Sequence, residues 1–365
     1  MTKYIIQRVI WIFIILVVTL TITFVLLKLA PEYPPTKNTD KDRWLTQQVN
    51  DGYYTVEYFD YNNAEDRAYV TNLQQTDPRI NSTVFVVNPI GNSQVIKVFT
   101  RVPIATQYFK WVENIVTEWN WGLSTKIKIN QPAFGVVAEF MPLTLALNVL
   151  TLLFYLPFGF GFGIIAALKK DTFVDNLMQI LIMLFISLPG LVFILLLVII
   201  FGYELKWLPT LFPLLEKESA QVIASGFVIP VIAAGLPAIA GLTRLFRAEL
   251  SEVLTSEFVL LAKTKGLSHQ QAVMRHAIRN SMVPMVPTVI GSFAGLLGGS
   301  FILERVYAIP GVGTVTLQAL TQGNYDYNVI MTSNAFYSVI GLTTALIVDL
   351  SYGIIDPQIR MGAKK

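Results

Sequence analysis

Apolar positions along this chain gather into six long runs, separated by polar stretches of very unequal length. A bilayer core about 30 Å thick needs roughly 20 mostly apolar residues in a helix. The runs near Ile5–Leu29, Met141–Leu168, Leu177–Tyr203, Val222–Leu245, Val283–Leu303 and Val329–Ile355 meet that length. The first is too long for a secretory apolar core of roughly 7–15 residues, and Lys28-Leu29-Ala30-Pro31-Glu32 makes a poor cleavage site, so it reads as a retained anchor. Between the first and second runs, residues 31–135 are polar and aromatic-rich. Tyr53–Phe59, Thr83–Val87 and Gln94–Phe99 have the β-branched and aromatic content of strands, with turn signals at Asp51-Gly52 and Gly91-Asn92. From Thr106 to Asn120 the period becomes helical, with Tyr108, Trp111, Ile115 and Trp119 about one turn apart. Pro132–Phe140 reads as an amphipathic lead-in to the second span. The pattern predicts an anchor over 1–30, a β-containing domain over 31–135, and a five-helix core over 136–365.

The polar stretch between the fourth and fifth runs, 244–282, is patterned. Gly266 is suited to end a helix in the left-handed conformation, and Ser268 with Gln271 three residues on fits a capping box for the next. The helix preceding Gly266 would expose Phe258, Leu261 and Lys265 on one side. Such an apolar knob with a basic rim suits a groove on a partner protein. It equally suits a hairpin resting on an anionic leaflet, in contact with membrane lipid.

Composition agrees with the spans: 53% of residues are apolar and 14% charged, against about 25% charged in a soluble domain. A net charge of +3 is too small and dispersed to imply nucleic acid. With no Cys, disulfides, thiolate nucleophiles and Cys-ligated metals are excluded. Lys and Arg collect on one side of the short loops: Lys3, Arg8, Lys169, Lys170, Arg275, Arg279 and Lys365 share a face with the 244–282 loop, while Lys206, Lys217 and Arg305 stand opposite. The positive-inside rule then places the loop and both termini in the cytoplasm and 31–135 outside.

Other features bear on mechanism. Pro157, Pro189, Pro230, Pro237, Pro284 and Pro287, with glycine clusters at 159–163 and 291–299, suit either close helix packing or kinked spans lining a path. Asp349 is the one acid well inside a predicted span, which argues against an ion-coupled carrier. Glu304–Gly313 falls just outside the fifth run, where Pro310, Gly311 and Gly313 would make a tight turn: a surface turn, or a segment re-entering a pore mouth. His269 and His276 sit on the charged loop, but two ligands without Cys or suitable acids make a poor metal site. The external aromatics would cover that domain's own core or dock a partner. Asn81-Ser82-Thr83 has the form of a glycosylation acceptor, relevant only in a eukaryotic secretory context.

Several ordered motifs resemble the permease subunits of bacterial ABC importers for oligopeptides, dipeptides and nickel. These are Tyr4–Val9, Gln107–Trp111, Trp121–Ser124, Pro142–Leu147, Ser187–Pro189, Trp207–Pro209, Ala262–Ser268 with His276–Asn280, Glu304–Gly313 and Asp356–Arg360. The resemblance spans the chain apart from about residues 35–100. It implies an all-α polytopic membrane protein with six transmembrane helices of the type I ABC importer fold and a small β-containing extracytoplasmic insertion after the first helix. In the wider family the loop signature carries Glu-Ala where Leu260 and Leu261 stand, and proline where Arg279 stands; both departures resemble the peptide/nickel branch.

The resemblance also implies a division of labour. This chain would be a non-enzymatic half of an oligopeptide pore in the plasma membrane, with a second permease subunit, two cytoplasmic ATPase subunits and an extracytoplasmic substrate-binding protein as partners. ATP and Mg would bind in the partner subunits; this chain has no phosphate-cradling Gly-rich motif, and no cofactor or metal is expected on it. The ATPase-coupling residues would be Glu257, Phe258, Leu261, Ala262, Lys263, Lys265, Gly266, Leu267, His276, Arg279 and Asn280. An external gate would comprise Glu304, Tyr307, Pro310, Gly311 and Gly313. The alternatives are dipeptide or nickel-chelate cargo, an ATP-independent transporter, a membrane-embedded enzyme, or a structural scaffold.

Overall fold

Six apolar runs become helical elements, though not six straight rods. The computed structural model describes residues 2–30, 38–77, 84–87, 95–321 and 325–355. In chain order the elements are α1 (Thr2–Leu29), α2 (Asn38–Asn50), β1 (Tyr54–Asp60), α3 (Ala64–Thr76), β2 (Val84–Val87), β3 (Val95–Arg101) and α4 (Ile104–Glu118). They continue with α5 (Ala133–Leu168), α6 (Phe173–Ser187), α7 (Gly190–Leu197, prolonged by a π-helical turn to Glu204), α8 (Ala220–Gly226) and α9 (Val228–Leu254). After these come α10 (Glu257–Thr264), α11 (His269–Ala272), a π turn over Val273–Ala277, α12 (Ile278–Met282), α13 (Met285–Val306), α14 (Val312–Ala319) and α15 (Tyr327–Ile355).

Four segments are long and apolar enough to cross a bilayer unbroken: Ile5–Leu29, Ala133–Leu168, Ala220–Leu254 and Tyr327–Ser351. The other two predicted spans are bent. Phe173–Ser187 and Gly190–Glu204 meet at 102°, and the halves of α13 at 41°. The third span was expected as one helix over 177–203. Pro189 breaks it, because proline lacks an N–H and pushes the preceding residue out of the α region; Leu188 accordingly sits at φ −77°, ψ 123°. Pro142 and Pro157, by contrast, are accommodated inside α5. The expected lead-in over Pro132–Phe140 proves to be the first turns of α5 itself. Apolar side chains such as Ile6, Trp11, Phe13, Ile180 and Met183 remain exposed along these helices, as lipid-facing surfaces should.

The chain divides into two compact units. The first comprises residues 1–16, 137–317 and 335–365. One of its cores joins Leu147 of α5, Phe193, Ile194 and Leu197 of α7, Ile229 and Ala233 of α9, and Leu303 of α13. A bidentate pair adds to it: Arg247 of α9 donates through Nε (2.7 Å) and an Nη (2.6 Å) to Asp175 in the first turn of α6. Such a fork is the strong form of an ion pair, and an acid in a first helical turn also suits the helix dipole. Asp175, Arg247 and Glu304 fall just beyond the ends of the expected apolar runs 177–203, 222–245 and 283–303, whereas Asp349 lies within the last run. Asp349 itself pairs with Arg8 at 3.3 Å.

The second unit comprises residues 17–136 and 318–334. The three expected strands form an antiparallel sheet in the order β1-β3-β2, with Tyr54 opposite Arg101 and Val84 opposite Val98. Val70 of α3 packs on Ile96 and Val98 of β3. Several of the expected aromatics are buried in this unit, Tyr53, Tyr54, Phe99, Trp111 and Trp121, and ring contacts link Phe24 of α1 with Tyr108, Trp111 and Tyr327, whereas Tyr58, Tyr69, Phe109 and Trp119 are exposed. The helix expected over 106–120 is α4, ending in a left-handed cap at Trp119. Asp51-Gly52 makes its turn with Gly52 at φ +78°. The Gly91-Asn92 turn, the Asn81 tripeptide and the Asp356–Arg360 motif lie outside the described residues.

Candidate functional site

The polar loop folds as its residues suggest, into two helical pieces around Gly266. Val259 and Ala262, three apart on α10, turn inward onto Phe246 and Leu250 of α9, Ala272, Ala277, and Met285 of α13. That packing leaves Phe258, Leu260 and Leu261 at 42%, 63% and 55% exposure, beside the exposed Lys263 and Lys265. Gly266 lies at φ +91°, and a Cβ there would meet nothing within 4 Å. Glycine is therefore required by backbone conformation and not by space. Leu267 N–H donates to Ala262 O (3.3 Å) and Gly266 N–H to Lys263 O (3.0 Å), the paired bonds of a Schellman cap. The next helix starts with a reciprocal capping box: Gln271 N–H to Ser268 Oγ (3.3 Å), and Ser268 N–H to Gln271 Oε1 (3.1 Å).

Of the residues expected to form the contact, Glu257, Phe258, Leu261, Lys263, Lys265, His276, Arg279 and Asn280 are exposed and Leu267 half-buried. Ala262 is the exception. At 6% exposure it belongs to the packing beneath α10, and it can act only by holding that helix in place. Leu260 and Met274, both strongly exposed, are apolar surface that the sequence reading did not single out.

The Glu304–Gly313 segment is not a surface turn. Glu304 sits in the last turn of α13, fully buried. Its carboxylate accepts from Thr144 Oγ1 (2.9 Å), Gly313 N–H (2.8 Å) and Thr314 N–H (3.3 Å), with Ser300 as a further partner. Thr144 Oγ1 in turn accepts from Val312 N–H at 2.8 Å. An acid of α13 thus takes up the unpaired N–H groups that open α14, where the helix dipole also favours negative charge. A Cβ on Gly313 would lie 2.7 Å from both Glu304 Oε2 and Phe301 Cα, so glycine is required there by close approach. Tyr307 is buried; its hydroxyl donates to Pro209 O, and its carbonyl accepts from Phe212 N–H at 2.8 Å. Thr144 was missed as a member of this constellation because its partner lies 160 residues away; Ser300, one helical turn before Glu304 on α13, was missed although its partner is close in sequence.

In the same unit, a cavity of about 270 Å³ is lined by Leu147, Asn148 and Thr151 of α5, Leu191 of α7, Pro237 of α9 and Ser300 of α13. Asn148 Nδ2 donates to Thr144 O at 2.6 Å and Thr151 Oγ1 to Leu147 O at 2.8 Å. With those hydroxyl and amide donors already engaged, the cavity is mainly apolar. Among the described residues no group of three or more His, Asp or Glu could hold a metal ion.

Comparison with known proteins decides what these features belong to. Residues 159–361 match the family described as the binding-protein-dependent transport system inner membrane component. The chain belongs to that family. It is a multi-pass membrane permease, a transport component without catalytic function. It is 34% identical over 263 residues to a dipeptide transport system permease protein of Bacillus subtilis, covering 72% of this permease and 81% of that protein. An oligopeptide transport system permease protein of Haemophilus influenzae is 30% identical over 258 residues, covering 71% and 81%. A glutathione transport system permease protein of Escherichia coli is 30% identical over 280 residues, covering 75% and 87%. The family match takes in the 244–282 loop, Glu304 and the start of α14, but begins after Thr144.

Proposed function

We propose that this permease is one half of the pore of an ATP-driven peptide importer, with residues 244–282 in the cytoplasm as the handle moved by the ATPases. The observation that carries the reading is α10. Its inner face is packed on the span core, while Phe258, Leu260 and Leu261 stay exposed beside two lysines. Apolar side chains held outward on a rigidly backed short helix are suited to insertion into a groove on a partner. Two cytoplasmic ATPase subunits would bind ATP with Mg and close, pulling α10 and through it α9 and α13. Binding of ATP must favour one pore state over the other, since a ligand indifferent to both shifts nothing.

The remaining assignments follow from that one. A second permease would complete the pore, a substrate-binding protein would deliver cargo from outside, and residues 31–135 would lie on the outer face with both termini inside. The Glu304–Gly313 segment, pinned by a buried carboxylate, would serve as the external gate. Peptides are the cargo named for the relatives, and a mainly apolar cavity suits a tolerant peptide path better than a bare cation. Neither ATP nor Mg would bind to this chain.

The test is substrate-stimulated ATP hydrolysis and peptide uptake by the assembled importer carrying Leu261→Glu or Phe258→Glu. Both changes are at exposed positions, so folding should be retained, and stimulated hydrolysis should fall at least about tenfold, the loss expected for removing a central apolar anchor. Unchanged coupling in both variants would leave α10 as a helix resting on lipid and overturn the assignment.

A further inference from the structure

Two cavities in the second unit are used by nothing in the transport reading. The larger, about 250 Å³, is lined by Asp40, Arg43, Trp44 and Gln47 of α2 and by Lys126 and Ile129 of the loop after α4. The smaller, about 30 Å³, shares Trp44 and Thr125 with it and is bounded also by Lys28, Tyr53 and Asn328.

The walls are fixed in place. Asp326 is fully buried, and its Oδ2 accepts from Ser124 Oγ (2.6 Å) and from the N–H groups of Thr125 (2.9 Å), Lys126 (2.9 Å) and Ile127 (3.1 Å). Four donors on one oxygen hold the Lys126 loop in a single conformation. Gln47 Nε2 donates to Leu123 O (3.3 Å), tying α2 to the same loop, and Asn328 Nδ2 donates there too (2.9 Å). A polar site on preorganised walls binds without first having to order itself.

The charge on those walls is cationic. Arg43 is exposed and Lys126 half-exposed, and neither side chain has an acceptor among the described residues. Lys28 is 3% exposed, its ammonium 3.5 Å from the Tyr53 ring centroid and 4.1 Å from that of Tyr327. Asp40, at the rim, is the one acid lining either cavity; Asp51 lies near Lys28 but lines neither. A guanidinium fork and an ammonium lining one pocket together with an indole match a carboxylate attached to an apolar body.

We infer that this cleft binds a short peptide, held by its terminal carboxylate on Arg43 and Lys126, with its ammonium toward Asp40 and its side chain against Trp44. The assignment rests on the peptide reading of the transporter and adds to it a second substrate site outside the spans. Its volume lies just under the roughly 300–1,000 Å³ usual for ligand pockets, which limits the occupant to about two residues.

The test is calorimetric titration of the purified full-length permease in nanodiscs with dialanine and with dialanine amide. Dialanine should bind. The amide, Arg43→Gln and Lys126→Gln should each weaken binding at least about tenfold, the loss expected when a charged hydrogen-bond partner is removed, while Lys217→Gln leaves it unchanged. No binding of dialanine, equal binding of the amide, or binding indifferent to both cleft substitutions would overturn the site. So would a cleft that takes up only the purified binding protein. Peptide uptake by the assembled importer is measured alongside: uptake without binding at the cleft removes this site alone, whereas absence of peptide uptake removes the reading on which it rests.

Discussion

Asp51 shows how a single buried group can set the pH response of a region. Burial raises its pKa from 3.8 to about 6, against the opposing pull of an Asn328 hydrogen bond and the Lys28 charge. A carboxyl whose folded pKa lies above its unfolded value binds its proton more tightly in the folded state. The resulting stability is fully present below pH 3.8 and is lost as pH rises through about 6, and a shift of that size corresponds to about 3 kcal/mol. Trp44, Trp111, Trp119 and Trp121, four of the six tryptophans, lie in the same unit, so indole fluorescence reports its unfolding. The wild-type transition should fall in temperature between pH 4.5 and 7, and Asp51→Asn should flatten that slope. An identical slope in the variant would assign the pH response to another group.

At the scale of elements, two glycines do different work. Gly266 holds a left-handed cap with open space around it, so Gly266→Val should cost about 1–2 kcal/mol of backbone strain and fray the end of α10. The measurable result is weaker coupling between ATP hydrolysis and uptake, with little change in the melting temperature of the permease. Gly313→Ala should behave in the opposite manner. Its methyl group would press on Glu304 and the Phe301 backbone, costing about 1–3 kcal/mol as overpacking does, and would show as a lower melting temperature and loss of uptake. A melting temperature unmoved by Gly313→Ala would mean that α14 is held by something other than Glu304.

Elements also differ in how far the sequence disclosed them. The three strands, α4, the Gly266 cap and the Ser268–Gln271 box were legible because each depends on neighbours a few residues apart. Helices α2 and α3 were not anticipated. Each is mostly polar, and α3 buries only Val70, so neither shows the wide apolar stripe that marks an amphipathic helix. Their packing onto the sheet and the aromatic core supplies what the local pattern lacks.

For the whole molecule, the insertion carries its own three-stranded sheet, while its aromatic core also takes in Phe24 of α1 and Tyr327 of α15. An excision meant to remove it should run from 38 to 101, because β3 lies between β1 and β2 and a cut at about residue 95 would leave that central strand unpaired. The shortened permease should still assemble with the ATPase subunits but should bind the substrate-binding protein at least about tenfold more weakly in a pull-down titration, the loss expected when one hot-spot region goes. Unaltered docking would make the insertion an elaboration without a part in delivery.

The sequence alone determined the membrane class, the apolar runs, their charge asymmetry and the two-helix loop. Each of these is written in hydropathy, in Lys and Arg placement, or in short-range capping chemistry. Only the tertiary structure decided that Ala262 faces inward, that the third span is bent at Pro189, and that Glu304 is buried against Thr144 and the N–H groups opening α14. It likewise brought Asp175 to Arg247, Asp326 to the Lys126 loop, and Arg43 to the same cleft as Lys126. These partners stand tens to hundreds of residues apart, and a buried polar group is stable only where such partners converge on it. Local pattern carries no record of that convergence.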